Sequence, residues 1–160
     1  MKNWIKFFSV FLVILAVVLT AIITFIAYLP FSSATSKAEK AVLSDQLITE
    51  VSDSYVYNSK TSYVTVIGKD QDNKKLAVFK NEDDPQAKMQ KVELKKGISK
   101  KEAIKIATKD QKVKKVMHAR LGVEKPGIVW EVTFKSTDDK LNYVYIMFDD
   151  GQWWKKITNL

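Results

Sequence analysis

Residues 7–29 run 23 positions without a charge, and the nearest basic side chains, Lys2 and Lys6, lie on the N-terminal side. An apolar run of roughly 20 residues crosses a bilayer as one helix, so the run reads as a membrane span. Lys2 and Lys6 place the N-terminus in the cytoplasm by the positive-inside rule, and everything after Pro30 outside the membrane. The competing reading is a cleaved signal peptide, whose apolar region is about 7–15 residues long and ends at a small-x-small site. This run is longer, and Ser32, Ser33 and Ala34 make a weak site. A buried core helix would carry a polar face, and this one has none. No Cys follows the run, which excludes a lipid-modified N-terminal Cys.

The 160 residues carry a net charge of +8; beyond Lys2 and Lys6 the balance is 24 basic against 18 acidic residues, or +6. A moderately basic exterior beside a membrane suits anionic neighbours such as lipid headgroups, wall polymers or an acidic protein face. The expected location argues against nucleic acid. Without Cys, the exported part has no disulfides and must be held by its core.

The reading of the chain is α+β. Residues 1–30 form the cytoplasmic tip and anchor, and residues 31–36 a Ser/Thr-rich joint. A helix is expected over 37–52, although its apolar residues spread over too broad an arc to define one face. Four β-like runs follow at 54–58, 62–68, 75–80 and 89–94, separated by turn chemistry such as Asp70-Gln71-Asp72-Asn73. After Gly97, Ser99 and Glu102 make an S-x-x-E capping box, opening a helix to about 110. Four more strands are expected at 113–121, 128–135, 141–148 and 152–158. The first of these puts Val113, Met117, Ala119 and Leu121 on one face, which Lys115 breaks; the third is apolar on both faces, as a central or covered strand is. Helix and four strands thus occur twice, in units 37–95 and 96–160. Each is near the lower size limit for a domain, so a shared interface is expected.

The second unit carries recognisable motifs: Gly97-Ile98-Ser99, Glu102-Ala103-Ile104, Trp130-Glu131-Val132-Thr133-Phe134, and Tyr145 through Gln152 with its Gly turn. This resembles a PepSY-type repeat. The whole chain resembles a narrower family, the Gram-positive cell-wall elongation regulators with TseB-like domains (the YpmB family). Val116-Met117-His118-Ala119-Arg120 through Thr133 is the most specific stretch. The resemblance implies two cystatin-like units behind one membrane helix, and a regulatory role at a class B penicillin-binding protein or another membrane-embedded wall-synthesis protein. It departs from the repeat at Met147, where an Asp is common, and at Trp153-Trp154, where aliphatic residues are. PepSY-type domains also occur in propeptides of thermolysin-type proteases, so an inhibitor or chaperone of an exported protease is the alternative.

No catalytic, cofactor or metal constellation emerges from the sequence. His118 is the sole histidine, which precludes a His-pair metal site. It is expected on a strand face with Lys114, Val116 and Arg120. The acid pairs Asp83-Asp84, Asp138-Asp139 and Asp149-Asp150 all fall in expected turns. Binding is the more plausible chemistry. Adjacent Trp153 and Trp154 on a strand point to opposite faces, beside Lys155 and Lys156. Lys101 and Lys105 belong to a lysine-rich helix and following strand, a solvated face or an anionic docking surface. His118 and Arg120 are candidate partner contacts. Ala16, Thr20 and Thr24 recur every fourth residue in the anchor, a spacing that lets membrane helices approach closely.

Overall fold

The computed structural model describes residues 2–160, which form one long helix and two antiparallel sheets of four strands each. The chain divides into two compact units, Met1–Ala34 and Thr35–Leu160.

Helix α1 spans Lys2–Ser44 and is long and apolar enough to cross a membrane. Its large apolar side chains between Ile5 and Tyr28 are exposed, with none of that face buried in protein. The expected joint at 31–36 lies inside this helix. The helix also stops earlier than expected, at Ser44, because Gln46 turns left-handed (φ 53°) and its amide bonds back to Leu43. That is a C-terminal cap, in which the left-handed residue satisfies a last-turn carbonyl. The broad apolar arc follows: Leu47, Ile48 and Val51 belong to the loop and the first strand, not to the helix.

In the second unit the first sheet runs β1 (Glu50–Asn58), β2 (Ser62–Lys69), β3 (Lys75–Asn81) and β4 (Gln90–Glu93), paired in chain order. The row Ser54–Val66–Val78 lies on the face that receives the end of α1. There Ala38 and Val42 are fully buried, and the Ser54 hydroxyl bonds the Glu39 carboxylate. The opposite face carries Tyr55, Thr65 and Phe79 in one row and Ile67 and Ala77 in the next.

A 3₁₀ turn (Leu94–Lys96) leads to α2 (Lys100–Thr108), whose start has the expected capping box. The Glu102 amide donates to Ser99 Oγ at 3.3 Å and the Ser99 amide to Glu102 Oε2 at 2.8 Å. The second sheet runs β5 (Val113–Glu124), β6 (Gly127–Ser136), β7 (Leu141–Met147) and β8 (Trp153–Ile157), again in chain order. As its two apolar faces demand, β7 is central. The entry to α2 is clasped against this sheet: the Ile98 amide donates to the Phe148 carbonyl at 2.8 Å, and Trp130 Nε1 to the Ile98 carbonyl at 2.9 Å. Gly97 is required here, since a Cβ would strike the Phe148 carbonyl and ring.

The face under α2 does not follow simple alternation along β5. Register shifts between Val113 and Lys115 and between Val116 and His118 re-aim the strand. Val116, Ala119 and Leu121 pair with Phe134, Val132 and Trp130 on the core side, while Met117 is exposed. The expected placement of Met117 on one face with Ala119 and Leu121 is therefore corrected: it is the extra residue of a β-bulge.

The two sheets share a core. Ala77 and Phe79 of the first cluster with Ala119, Leu121, Trp130 and Phe134 of the second. Burying one such aromatic contributes about 1.5–3 kcal/mol before packing terms. Strand β5 is an edge strand, and its edge meets the Tyr55–Thr65 row of the first sheet. The Thr65 hydroxyl donates to the Leu121 carbonyl at 3.0 Å. The Tyr57 ring lies where a Cβ on Gly122 would be.

A candidate partner-binding face on the second sheet

The face of the second sheet opposite α2 carries a transverse row, Arg120–Glu131–Tyr145–Lys155, one residue from each strand. Beside it runs His118–Thr133–Tyr143–Ile157. Alternation on four registered strands therefore gathers Arg120, His118 and Lys155, which lie far apart in sequence.

The row is basic at both ends and acidic at its centre. Arg120 rests over the Tyr55 ring, 5.1 Å from its centroid. Glu131 has a side chain only 14% exposed and reaches His118 Nε2 at 3.2 Å; the same nitrogen lies 3.0 Å from Thr133 Oγ1. His118 thus sits in a polar pair with an acid rather than on a face with Lys114 and Val116, because the bulge at Met117 rotates it away from them. Tyr145 is buried and bonds Glu131; burial first, then the Glu131 charge, raises its phenol well above the usual range. Tyr57 behaves alike: its hydroxyl donates to Glu124 Oε1 at 3.0 Å, and burial, then Glu131 and Glu124, oppose its ionisation.

At the open end, Trp154 is the bulged residue between the pairs Tyr145–Lys155 and Ile146–Trp153. Its ring meets Tyr145 edge-on, centroids 5.9 Å apart. Lys155 Nζ lies 5.3 Å from the Tyr145 centroid and 5.9 Å from that of Trp154, distances of cation–π contact. Trp153 and Lys156 pair with Ile146 and Val144, on the α2 side of the sheet. Trp153 is 60% exposed and Lys156 half-buried. Lys101 and Lys105 are exposed on α2 and share no row with Lys155.

Sequence reasoning passed over Glu131, Thr133 and Tyr145. Period-2 alternation within 128–135 already separates Glu131 and Thr133 from the core positions Trp130 and Val132; their approach to His118 follows only from the strand register. The acid pairs fall in turns, and Asp139 is held by Lys114 at 2.8 Å, which keeps its carboxyl below the usual range. Among the described residues no cluster of His, Asp and Glu has metal-binding geometry.

In α1, the Thr20 and Thr24 hydroxyls donate to the Ala16 and Thr20 carbonyls, both at 2.8 Å. They are satisfied within the helix. With Ala21 and Phe25 they line a shallow groove along it.

The profile of the cell wall elongation regulator TseB-like domain matches residues 37–79. No curated protein matches the chain. Among solved structures, the YpmB protein from Bacillus subtilis has a similar fold, with a TM-score of 0.65 and 28% identity, over 79% of this chain and 95% of that one. The match at 37–79 and the fold shared with YpmB make the chain similar to the TseB-like (YpmB) family of cell wall elongation regulators.

Proposed function

We propose that the chain is a single-pass membrane protein, N-terminus in the cytoplasm, that regulates wall elongation by binding a class B penicillin-binding protein without catalysing a reaction. The observation that carries this reading is the union in one chain of a regulator domain and a helix apolar enough to span a membrane. A partner in the same membrane is met at high effective concentration, so a weak contact suffices.

The exterior contacts assigned to the partner are Trp153, Trp154, Lys155 and Lys156, with His118 and Arg120 on the same sheet and Lys101 and Lys105 on α2. The small-residue groove at Ala16, Thr20 and Thr24 is the contact within the bilayer. Because the hydroxyls there are already bonded, a neighbouring helix meets no unpaired polar group.

The test is affinity recovery of the full-length chain from crosslinked membranes. Enrichment of a class B penicillin-binding protein is the expected result. Recovery of unrelated proteins alone overturns the reading.

A further inference from the structure

We propose that β8 is a docking strand for an extended acidic segment of a partner protein, which joins the second sheet as a fifth strand. This deepens the reading of the chain as a partner-binding regulator and rests on it.

The two edges of the second sheet are treated differently. The β5 edge is engaged at Leu121, whose backbone is bonded by Tyr55 and Thr65 side chains from the first sheet. Strand β8 pairs on one side only, with β7. An unpaired strand edge offers a row of amides and carbonyls to any extended chain, and proteins limit this with charge and bulges. Both devices are present in β8: a bulge at Trp154, and Lys155 and Lys156 on opposite sides of the strand.

Those lysines make the edge selective as well as soluble. Lys155 faces the Tyr145 side and Lys156 the α2 side, and neither is in an ion pair among the described residues. A basic or neutral strand arriving here meets two cations with nothing to answer them. A strand with adjacent carboxylates places one on each side, beside one lysine each, since successive side chains alternate. Trp153, mostly exposed at the start of β8, supplies apolar contact area at low entropic cost. Main-chain pairing gives the affinity, and the lysines choose the sequence. An anionic polymer or lipid surface would use the lysines but not the strand amides.

The probe is a synthetic blocked peptide with the core Thr-Val-Glu-Glu-Val-Thr, added to the full-length chain in detergent micelles. Binding is read by fluorescence anisotropy and by amide hydrogen exchange over 153–157. The expected result is binding with slowed exchange across β8, weakened about tenfold or more by the double substitution Lys155→Glu and Lys156→Glu, as for loss of desolvated charge pairs. A twin peptide with Lys-Lys at its centre is expected to bind at least about tenfold more weakly, and N-methylation of alternate amides in the acidic peptide to abolish binding.

Equal binding of the two peptides, or tolerance of N-methylation, overturns the proposal, as does binding without protection of β8. Polyglycerol phosphate or anionic vesicles that slow β8 exchange as the peptide does would overturn it too, in favour of a polyanion site. If the charge-reversed chain still recovers a penicillin-binding protein from crosslinked membranes, the docking strand falls and the regulator reading stands. If the wild-type chain recovers none while the peptide results hold, the partner assignment falls and the docking strand stands.

Discussion

Tyr55 and Leu121 are bound to each other twice: the Leu121 amide donates to the Tyr55 hydroxyl at 2.8 Å, and that hydroxyl donates to the Leu121 carbonyl at 3.3 Å. One phenol thus satisfies both outward backbone groups of an edge residue, across 66 positions of sequence. The contact joins the sheets without a strand ladder between them.

Tyr55→Phe keeps the ring and removes both bonds. Leaving a buried amide unpaired costs about 1–3 kcal/mol, so the urea midpoint of the full-length chain in micelles should fall accordingly. Thr65→Val removes one hydroxyl that donates to the same carbonyl and should cost less. A midpoint for Tyr55→Phe equal to wild type would show that water replaces the hydroxyl and that the junction is wetter than described.

Gly122 and Gly97 are places where a methyl group does not fit. A Cβ at Gly122 enters the Tyr57 ring, and one at Gly97 meets Phe148. Overpacking of this kind costs about 1–3 kcal/mol, so Gly122→Ala and Gly97→Ala should each lower the melting temperature. Hydrogen exchange separates them: the first loosens β1 against β5, the second the start of α2. Identical exchange patterns for the two variants would refute that assignment.

Alkaline pH should weaken the junction. Burial raises the phenols of Tyr55, Tyr57 and Tyr145 above the ordinary value of 10.0, with Glu131 adding at Tyr57 and Tyr145. A group whose pKa is raised on folding ionises first in the unfolded chain. Its contribution is complete below about pH 10 and is lost as the pH climbs through and beyond that value. Between about pH 8 and about pH 11 the denaturation midpoint of wild type should drop more steeply than that of Tyr57→Phe. Parallel curves for the two proteins would remove Tyr57 from the account.

Ser99→Ala removes the side-chain arm of the capping box on α2, the Oγ that accepts from the Glu102 amide and donates to Glu102 Oε2, and keeps the backbone amide that donates to Glu102. The loss is about 0.5–2 kcal/mol, the range for N-cap deletions. Circular dichroism should show an earlier thermal transition, whereas Ser99→Asp, which keeps an acceptor at the cap, should stay near wild type. Equal behaviour of the Ala and Asp variants would mean that packing of Ile98 and Trp130, not the cap, fixes the helix start.

The bilayer contact has its own test. Thr20→Val and Thr24→Val remove hydroxyls that bond only within α1, and should leave partner recovery unchanged. Ala16→Leu with Thr20→Leu fills the groove and should reduce it. Unchanged recovery with both leucines would assign the groove to lipid.

What could be read in advance was local. The Ser99–Glu102 box, the Asp-Asp-Gly turn after β7 and the strands expected at 62–68 and 128–135, each within one residue of those observed, follow from spacing and turn chemistry alone, and they set the α+β class. The end of α1 was misjudged because Ile48 is buried whether it ends a helix or enters a sheet, and hydropathy does not tell these apart. The bulges in β5 were hidden for a related reason: Val113, Met117, Ala119 and Leu121 share one parity, Lys115 breaks that face, and the break alone does not say where a residue is inserted. The Glu131–His118 pair and the Tyr55–Leu121 link are products of register and of tertiary approach, which no single segment encodes. On β8, adjacency of Trp153 and Trp154 correctly sent them to different sides, but the packing of Trp154 and Lys155 on Tyr145 required the neighbouring strand.

Ala77 and Phe79 lie in the same apolar interior as Trp130 and Phe134. The segment 37–79 that matches the family profile also stops within β3. Excised by itself, that piece would carry an oily flank with no cover, prone to clump or to be digested. Minimal versions of this protein must therefore keep both halves, and reporter insertions belong at the exposed hairpin tip around Gln71, not between β4 and α2.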